Sequence, residues 1–142
     1  MFTGEYQHIL DEKGRLAVPA RFRAELAQGA QVSKWIDGCV ALFPRAEWEE
    51  LAERTAALPV TDQNARTFQR FLFGAAFEVV LDRQGRFVLP GILRDFADLT
   101  SQVVVVGARR RLELWSPQRW SQYSAQMDRP EVLAEHLQGL GI

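Results

Sequence analysis

The stretch DEKGRLAVPARF at positions 11–22 returns as DRQGRFVLPGIL at positions 82–93. Asp11, Gly14, Arg15 and Pro19 recur as Asp82, Gly85, Arg86 and Pro90, while Leu16, Val18 and Phe22 are matched in kind by Phe87, Leu89 and Leu93. The match extends in both directions. Upstream, Tyr6, Ile9 and Leu10 meet Phe77, Val80 and Leu81 at the same offset; downstream, ALFPRAEW from position 41 meets ELWSPQRW from position 113 after one extra residue. Each half is therefore a complete supersecondary unit. Two copies are too few for a solenoid array, and two units that cannot bury their apolar faces alone pair around a pseudo-twofold axis. Four segments result: a first repeat at 1–60, a linking helix at 61–74, a second repeat at 75–127 and a C-terminal tail at 128–142. The fold class is α+β, internally duplicated, with helices flanking the paired units.

Residues 2–10 alternate, with Phe2, Tyr6, His8 and Leu10 on one side and Thr3, Glu5 and Gln7 on the other, the period of a half-buried strand. The second copy sets Phe77, Val79 and Leu81 opposite Glu78. An Asp-x-x-Gly turn then feeds a short strand, RLAV or RFVL, in which the arginine points away from Leu16 and Val18 or from Phe87 and Leu89. Pro19 and Pro90 suit the first turn of short helices over RFRAEL and ILRDFADL, because their fixed φ fits and their missing donor is not needed there. A hairpin follows in each half: VSKWIDGCVALF turns at Asp37-Gly38, where glycine accepts positive φ, and its counterpart is VVVVGARRRLELW. Amphipathic helices come next. Trp48, Leu51, Thr55 and Leu58 form one stripe up to Pro59, and Trp120, Tyr123 and Met127 form another after Pro117. A third helix over about 62–73 links the halves, and EVLAEHLQGLGI adds a frayed one.

With 142 residues and 47% hydrophobic content the chain has ample apolar material for a core. The apolar runs FLFGAAF and VVVVGA are far shorter than the roughly 20 residues of a membrane helix, and MFTGEYQHILDEKGR has no secretion-signal pattern. A soluble, cytoplasmic protein with no membrane partner is expected. The single cysteine, Cys39, forms no internal disulfide and reads as a small buried side chain. The formal net charge of -1 does not by itself indicate nucleic-acid binding. Its distribution is more informative. Lys13, Arg15, Arg21 and Arg23 follow one another without an acid between them, as do Arg83, Arg86 and Arg94, and Arg109, Arg110 and Arg111 make a third cluster. The acids gather in EWEELAE and in the tail, so a folded molecule can separate a positive face from a negative one.

These motifs resemble those of the MraZ family of bacterial regulators, whose halves are similar to the AbrB-type swapped-hairpin fold, a double-split β-barrel. MFTGEYQHILDEKGRLAVPARFR resembles the family's opening, FEVVLDRQGRFVLPGILR its second motif and VVVVGARRRLELWSPQRW its closing hairpin and helix. The family's Asp and Arg four residues apart fall on Asp11/Arg15 and Asp82/Arg86; the three arginines of the closing hairpin depart from its usual turn. The resemblance implies a sequence-specific, nucleoid-associated transcriptional repressor. Such a protein binds direct repeats in double-stranded promoter DNA, upstream of its own cell-division and cell-wall gene cluster. It implies a homo-oligomeric ring, an octamer or dodecamer, with no cofactor.

Each constellation has a plainer reading beside the functional one. Arg15 and Arg86 either contact DNA, at phosphate or bidentate to guanine, or pair internally with Asp11 and Asp82 to brace each hairpin. The first motif, with Lys13 where the second has Gln84, is the expected main contact. Lys13, Arg21, Arg23 and Arg83 are singly ordinary surface charges, but a ring multiplies them: two phosphates neutralised by each of four subunits give a log-log salt slope of about -7. Gly14 and Gly85 are structural members of the motif. His8 has Val79 as its counterpart and reads as packing, and the acids of EWEELAE converge with no metal-ligand set. No phosphate loop, zinc spacing, nucleophile elbow or catalytic dyad is present, so an enzyme and a small-molecule ligand are not expected. Two alternatives stay open: a ring-forming scaffold that binds a protein through its arginine face, and an antitoxin-like partner.

Overall fold

A computed structural model describes residues 1–142. In chain order the first half forms β1 (Glu5–Ile9), β2 (Arg15–Ala17), two single 3-10 turns (Ala20–Phe22 and Ala24–Leu26), β3 (Ala30–Lys34), β4 (Val40–Pro44) and α1 (Arg45–Ala56). A linking helix, α2 (Gln63–Phe73), leads to β5 (Phe77–Val79), β6 (Arg86–Val88), α3 (Gly91–Phe96), β7 (Gln102–Gly107), β8 (Leu112–Trp115) and α4 (Pro117–Met127). The last helix is α5 (Pro130–Leu137). No helix is long and apolar enough to cross a membrane.

The two repeats exchange strands. Six strands form one antiparallel sheet in the order β1-β7-β8-β4-β3-β5, so β1 of the first half pairs with β7 of the second, and β5 of the second pairs with β3 of the first. At the sheet centre β4 meets β8, with Ala41 opposite Glu113. The remaining strands, β2 and β6, pair only with each other in a separate two-stranded ribbon, with Leu16 opposite Phe87. Both central pairs join equivalent positions of the repeat, so the expected pseudo-twofold axis passes through them. The cross-ribbon hydrogen bonds follow the same symmetry: Val18 N–H donates to the Gly85 carbonyl at 2.9 Å, and Leu89 N–H to that of Gly14 at 2.8 Å.

Alternation explains what lies between ribbon and sheet. Leu16 and Phe87 point inward and join Val18, Phe22, Leu26, Leu89 and Leu93 in one buried cluster with Val32, Val40, Leu42, Val103, Val105, Leu112 and Leu114 of the sheet. Each such fully buried leucine stabilises the fold by about 2 kcal/mol. Cys39 is buried as expected, and burial pushes its thiol well above the ordinary range.

Local departures from the expected elements have identifiable causes. The strand read over 2–10 begins only at Glu5, because Gly4 takes a φ of 90°. Phe2 is bridged instead to Arg109, and the first residues cross so tightly over Gly107 that a Cβ there would collide with Thr3 and Phe2. Pro19 and Pro90 stand one residue before their helices, at the N-cap, with extended ψ values of 134° and 141°. RFRAEL winds as two 3-10 turns rather than one helix, with Phe22 seated edge-on against Phe2 and Tyr6 at 5.2 and 5.6 Å; Leu93 takes its place in the second copy, and Gly91–Phe96 is regular α-helix. Phe77, expected on the inner side, is 38% exposed because β5 is a three-residue edge strand. Leu58 is exposed because α1 stops at Ala56. At the first hairpin Asp37 and Gly38 have φ of 74° and 82°, as the Asp-Gly turn requires.

Candidate nucleic-acid interface

The β2–β6 ribbon is capped by two turns built to one plan. In the first, Asp11 Oδ1 accepts from the backbone N–H of Lys13 at 3.0 Å and of Arg15 at 2.8 Å, while Oδ2 accepts from Arg15 Nε at 2.7 Å. In the second, Asp82 Oδ1 accepts from the N–H of Gln84 at 2.8 Å and of Arg86 at 2.9 Å, and Oδ2 from Arg86 Nε at 3.0 Å. Gly14 and Gly85 close the turns with φ of 79° and 74°, a region that costs a side-chain-bearing residue about 1–2 kcal/mol. The backbone N–H of Arg15 or Arg86, reinforced by its guanidinium, outweighs desolvation and holds both carboxyls below the usual carboxylate range.

The ribbon register decides which way the arginines face. Arg15 lies opposite Val88 and Ala17 opposite Arg86, so these four residues share one face while Leu16 and Phe87 share the other. Because Leu16 and Phe87 are buried and Val88 is 58% exposed, both arginines stand on the outer face, diagonally across the ribbon. Each spends Nε on its aspartate, and its terminal amino groups donate to nothing within the chain. The internal brace and an outward contact are therefore compatible.

The other basic residues divide into two groups. Lys13 and Arg83 are exposed at the turn tips without a side-chain partner; their repeat counterparts are Gln84 and Glu12, so the two tips carry their base one position apart. Arg21 donates from Nη1 to the Tyr6 hydroxyl at 2.9 Å and lies over the Phe22 ring at 5.4 Å. Arg23 is half-buried, donates from Nε to the Val18 carbonyl at 3.0 Å, and rests against Gly85 of the other half. Its counterpart Arg94, which the sequence presents only as one member of a basic segment, crosses in the opposite direction to Gly14. Its equivalence to Arg23 in the repeat was the available signal.

The third arginine cluster is held by the chain itself. Arg109 takes a φ of 65° and exchanges backbone hydrogen bonds with Phe2 at 2.9 and 2.7 Å. Arg110 lies 3.6 Å from Glu50 and 3.9 Å from Glu47, and Arg111 pairs with Glu113 at 2.8 Å and covers the Trp35 ring at 5.0 Å. Two of the acids of EWEELAE, Glu47 and Glu50, thus face Arg110, so the positive and negative segments are not wholly separate. His8 sits half-buried on edge strand β1 opposite Val103, and no three His, Cys, Asp or Glu side chains come together as a metal site requires. Trp48 packs on Phe43 and Phe73, and Trp120 on Trp115 and Tyr123 with its indole N–H on Glu5 at 2.7 Å.

Comparison with known proteins agrees with this duplicated architecture. The family model described as "MraZ protein, putative antitoxin-like" matches twice, over residues 1–71 and 72–138. Among curated relatives, a protein of Roseiflexus castenholzii named transcriptional regulator MraZ is 48% identical over 90% of each chain. Relatives of the same name from Moorella thermoacetica and Herpetosiphon aurantiacus are 47% identical over 96% of each chain and 46% identical over the full length of both.

Proposed function

The chain belongs to the MraZ family, and on that premise we propose that it is a transcriptional regulator that represses its own cell-division and cell-wall gene cluster. It binds direct repeats in the upstream DNA as a ring of subunits, and it acts in the cytoplasm, on the nucleoid. The observation that carries this reading is the outer face of the β2–β6 ribbon, where Arg15 and Arg86 stand together with their terminal amino groups unengaged. A two-stranded ribbon fits the major groove of B-DNA, and a guanidinium fixed through Nε keeps a planar pair of donors for a phosphate or for guanine O6 and N7. Lys13 and Arg83 at the turn tips lie where the flanking backbone would pass, and they position rather than specify. Arg21 and Arg23 add positive charge behind the ribbon.

The ring turns weak single contacts into specific binding. Repeats about one helical turn, roughly 10 base pairs, apart present the same groove face to successive subunits, and tethering within one assembly raises the effective concentration of each further contact. The test is fluorescence anisotropy with DNA from upstream of the gene against the same fragment with its repeats scrambled, at one near-physiological salt concentration. A clear preference for the native fragment is expected. Equal weak binding to both, or none, would contradict the reading and favour a ring that engages a protein partner.

A further inference from the structure

We propose that Arg94 is an additional phosphate-binding residue of the first turn, delivered to it by the second repeat. This assignment rests on the DNA-binding reading above and adds one contact to it. Arg94 belongs to α3, yet its guanidinium lies against Gly14: a Cβ at that position would stand 3.2 Å from both Cζ and Nη1 and 3.5 Å from Nη2. Those near-equal distances set the guanidinium plane face-on to the glycine. Gly14 lies between Lys13 and Arg15, so three cations gather at one turn, two from the first repeat and one from the second.

Arg94 has no internal use for its charge. Its side chain forms no ion pair and donates no hydrogen bond, and its buried Nε has no partner at all. Its repeat counterpart differs: Arg23 presses its Nε and Cδ, rather than its terminal amino groups, against Gly85, and donates from Nε to the Val18 carbonyl at 3.0 Å. The acids of the first turn do not satisfy Arg94 either: Asp11 is engaged by Arg15 and two backbone N–H groups, and Glu12 makes no ion pair. A half-buried guanidinium without an anion is unfavourable in isolation. A DNA phosphate at the turn supplies that anion through a charge-assisted hydrogen bond.

The experiment is anisotropy with the upstream fragment across a series of salt concentrations, for the full-length wild type, R94Q and R94K, each with a melting curve. R94Q should bind more weakly and with a shallower log-log salt dependence, by about 0.9 for each bound subunit, while R94K keeps the wild-type slope. Unchanged binding by R94Q, or weaker binding at an unchanged slope, would overturn the assignment and leave Arg94 as a support for the turn. Absence of wild-type preference for native over scrambled DNA would overturn the DNA reading itself and the assignment with it. Should R94Q fail to fold, an arginine-selective dicarbonyl applied to the wild type reads the same contact by peptide mass spectrometry. Protection of Arg94 by the native fragment supports the proposal. Equal modification with and without DNA, or none in either, overturns it, because a guanidinium closed to a small reagent is closed to a phosphate.

Discussion

Asp11 and Asp82 each tie three donors together, and their ionisation is coupled to folding. Because the folded-state pKa of each lies below its ordinary value near 3.8, the contribution of the brace is fully present above that value and is lost as pH falls through the folded pKa. The double variant Asp11→Asn/Asp82→Asn should therefore melt below the wild type at neutral pH, with the gap closing below about pH 3.8. A gap that stays constant in acid would show that the carboxylates do not act as ions. The closing glycines differ in a second way. Gly85→Ala incurs the left-handed strain of about 1–2 kcal/mol and must also displace Arg23, whereas Gly14→Ala meets the Arg94 guanidinium only at 3.2 Å. Denaturant unfolding should rank Gly85→Ala as the more damaging; the reverse order would mean that Arg23 moves aside freely.

At the scale of elements, the basic β7–β8 hairpin tip illustrates how charge in a sequence misleads. Arg109, Arg110 and Arg111 form as dense a cationic run as the chain contains, yet the fold brings Glu47, Glu50 and Glu113 to two of them. Arg110→Ala should change stability by no more than about 0.5 kcal/mol, since its acids are exposed surface partners. It should leave DNA affinity within about twofold, because it lies away from the ribbon and is already neutralised. A loss as large as that of a ribbon arginine would move the interface to this hairpin. The Asp-x-x-Gly turns, the alternation of β1 and the Trp48, Leu51 and Thr55 stripe of α1 were legible because each depends on residues within a few positions. The stripe read on α4 held only in part, since Tyr123 packs on Trp115 yet is 40% exposed and no residue of that helix is buried. Strand exchange between the repeats was implied only by the resemblance to a swapped-hairpin fold and not by any local pattern, because the pairing of β1 with β7 and of β3 with β5 is set by which buried faces meet across the axis. For the same reason the Asp/Arg brace was legible as a motif while its outward-facing amino groups, and the crossing of Arg23 and Arg94, required the ribbon register.

For the whole molecule, the duplication means that neither half holds a complete sheet or ribbon. Residues 1–74 alone keep β3 and β4 but lose the partners of β1 and β2 and one neighbour of β4. That fragment should be unfolded or a homodimer by sedimentation and circular dichroism, with two first repeats standing in for the pair; a folded monomer would contradict the exchanged architecture. The same exchange places both Asp/Arg motifs on a single outer face, which makes one interface of two repeats. The most direct measurement of that claim is the affinity of the Arg15→Ala/Arg86→Ala variant for the native upstream fragment, with its melting temperature and ring size measured in parallel. The account predicts a stable, assembled protein whose preference for the native repeats is lost, each arginine accounting for about 1–3 kcal/mol per contact. Undiminished preference, or a variant that loses assembly before it loses DNA, would contradict it.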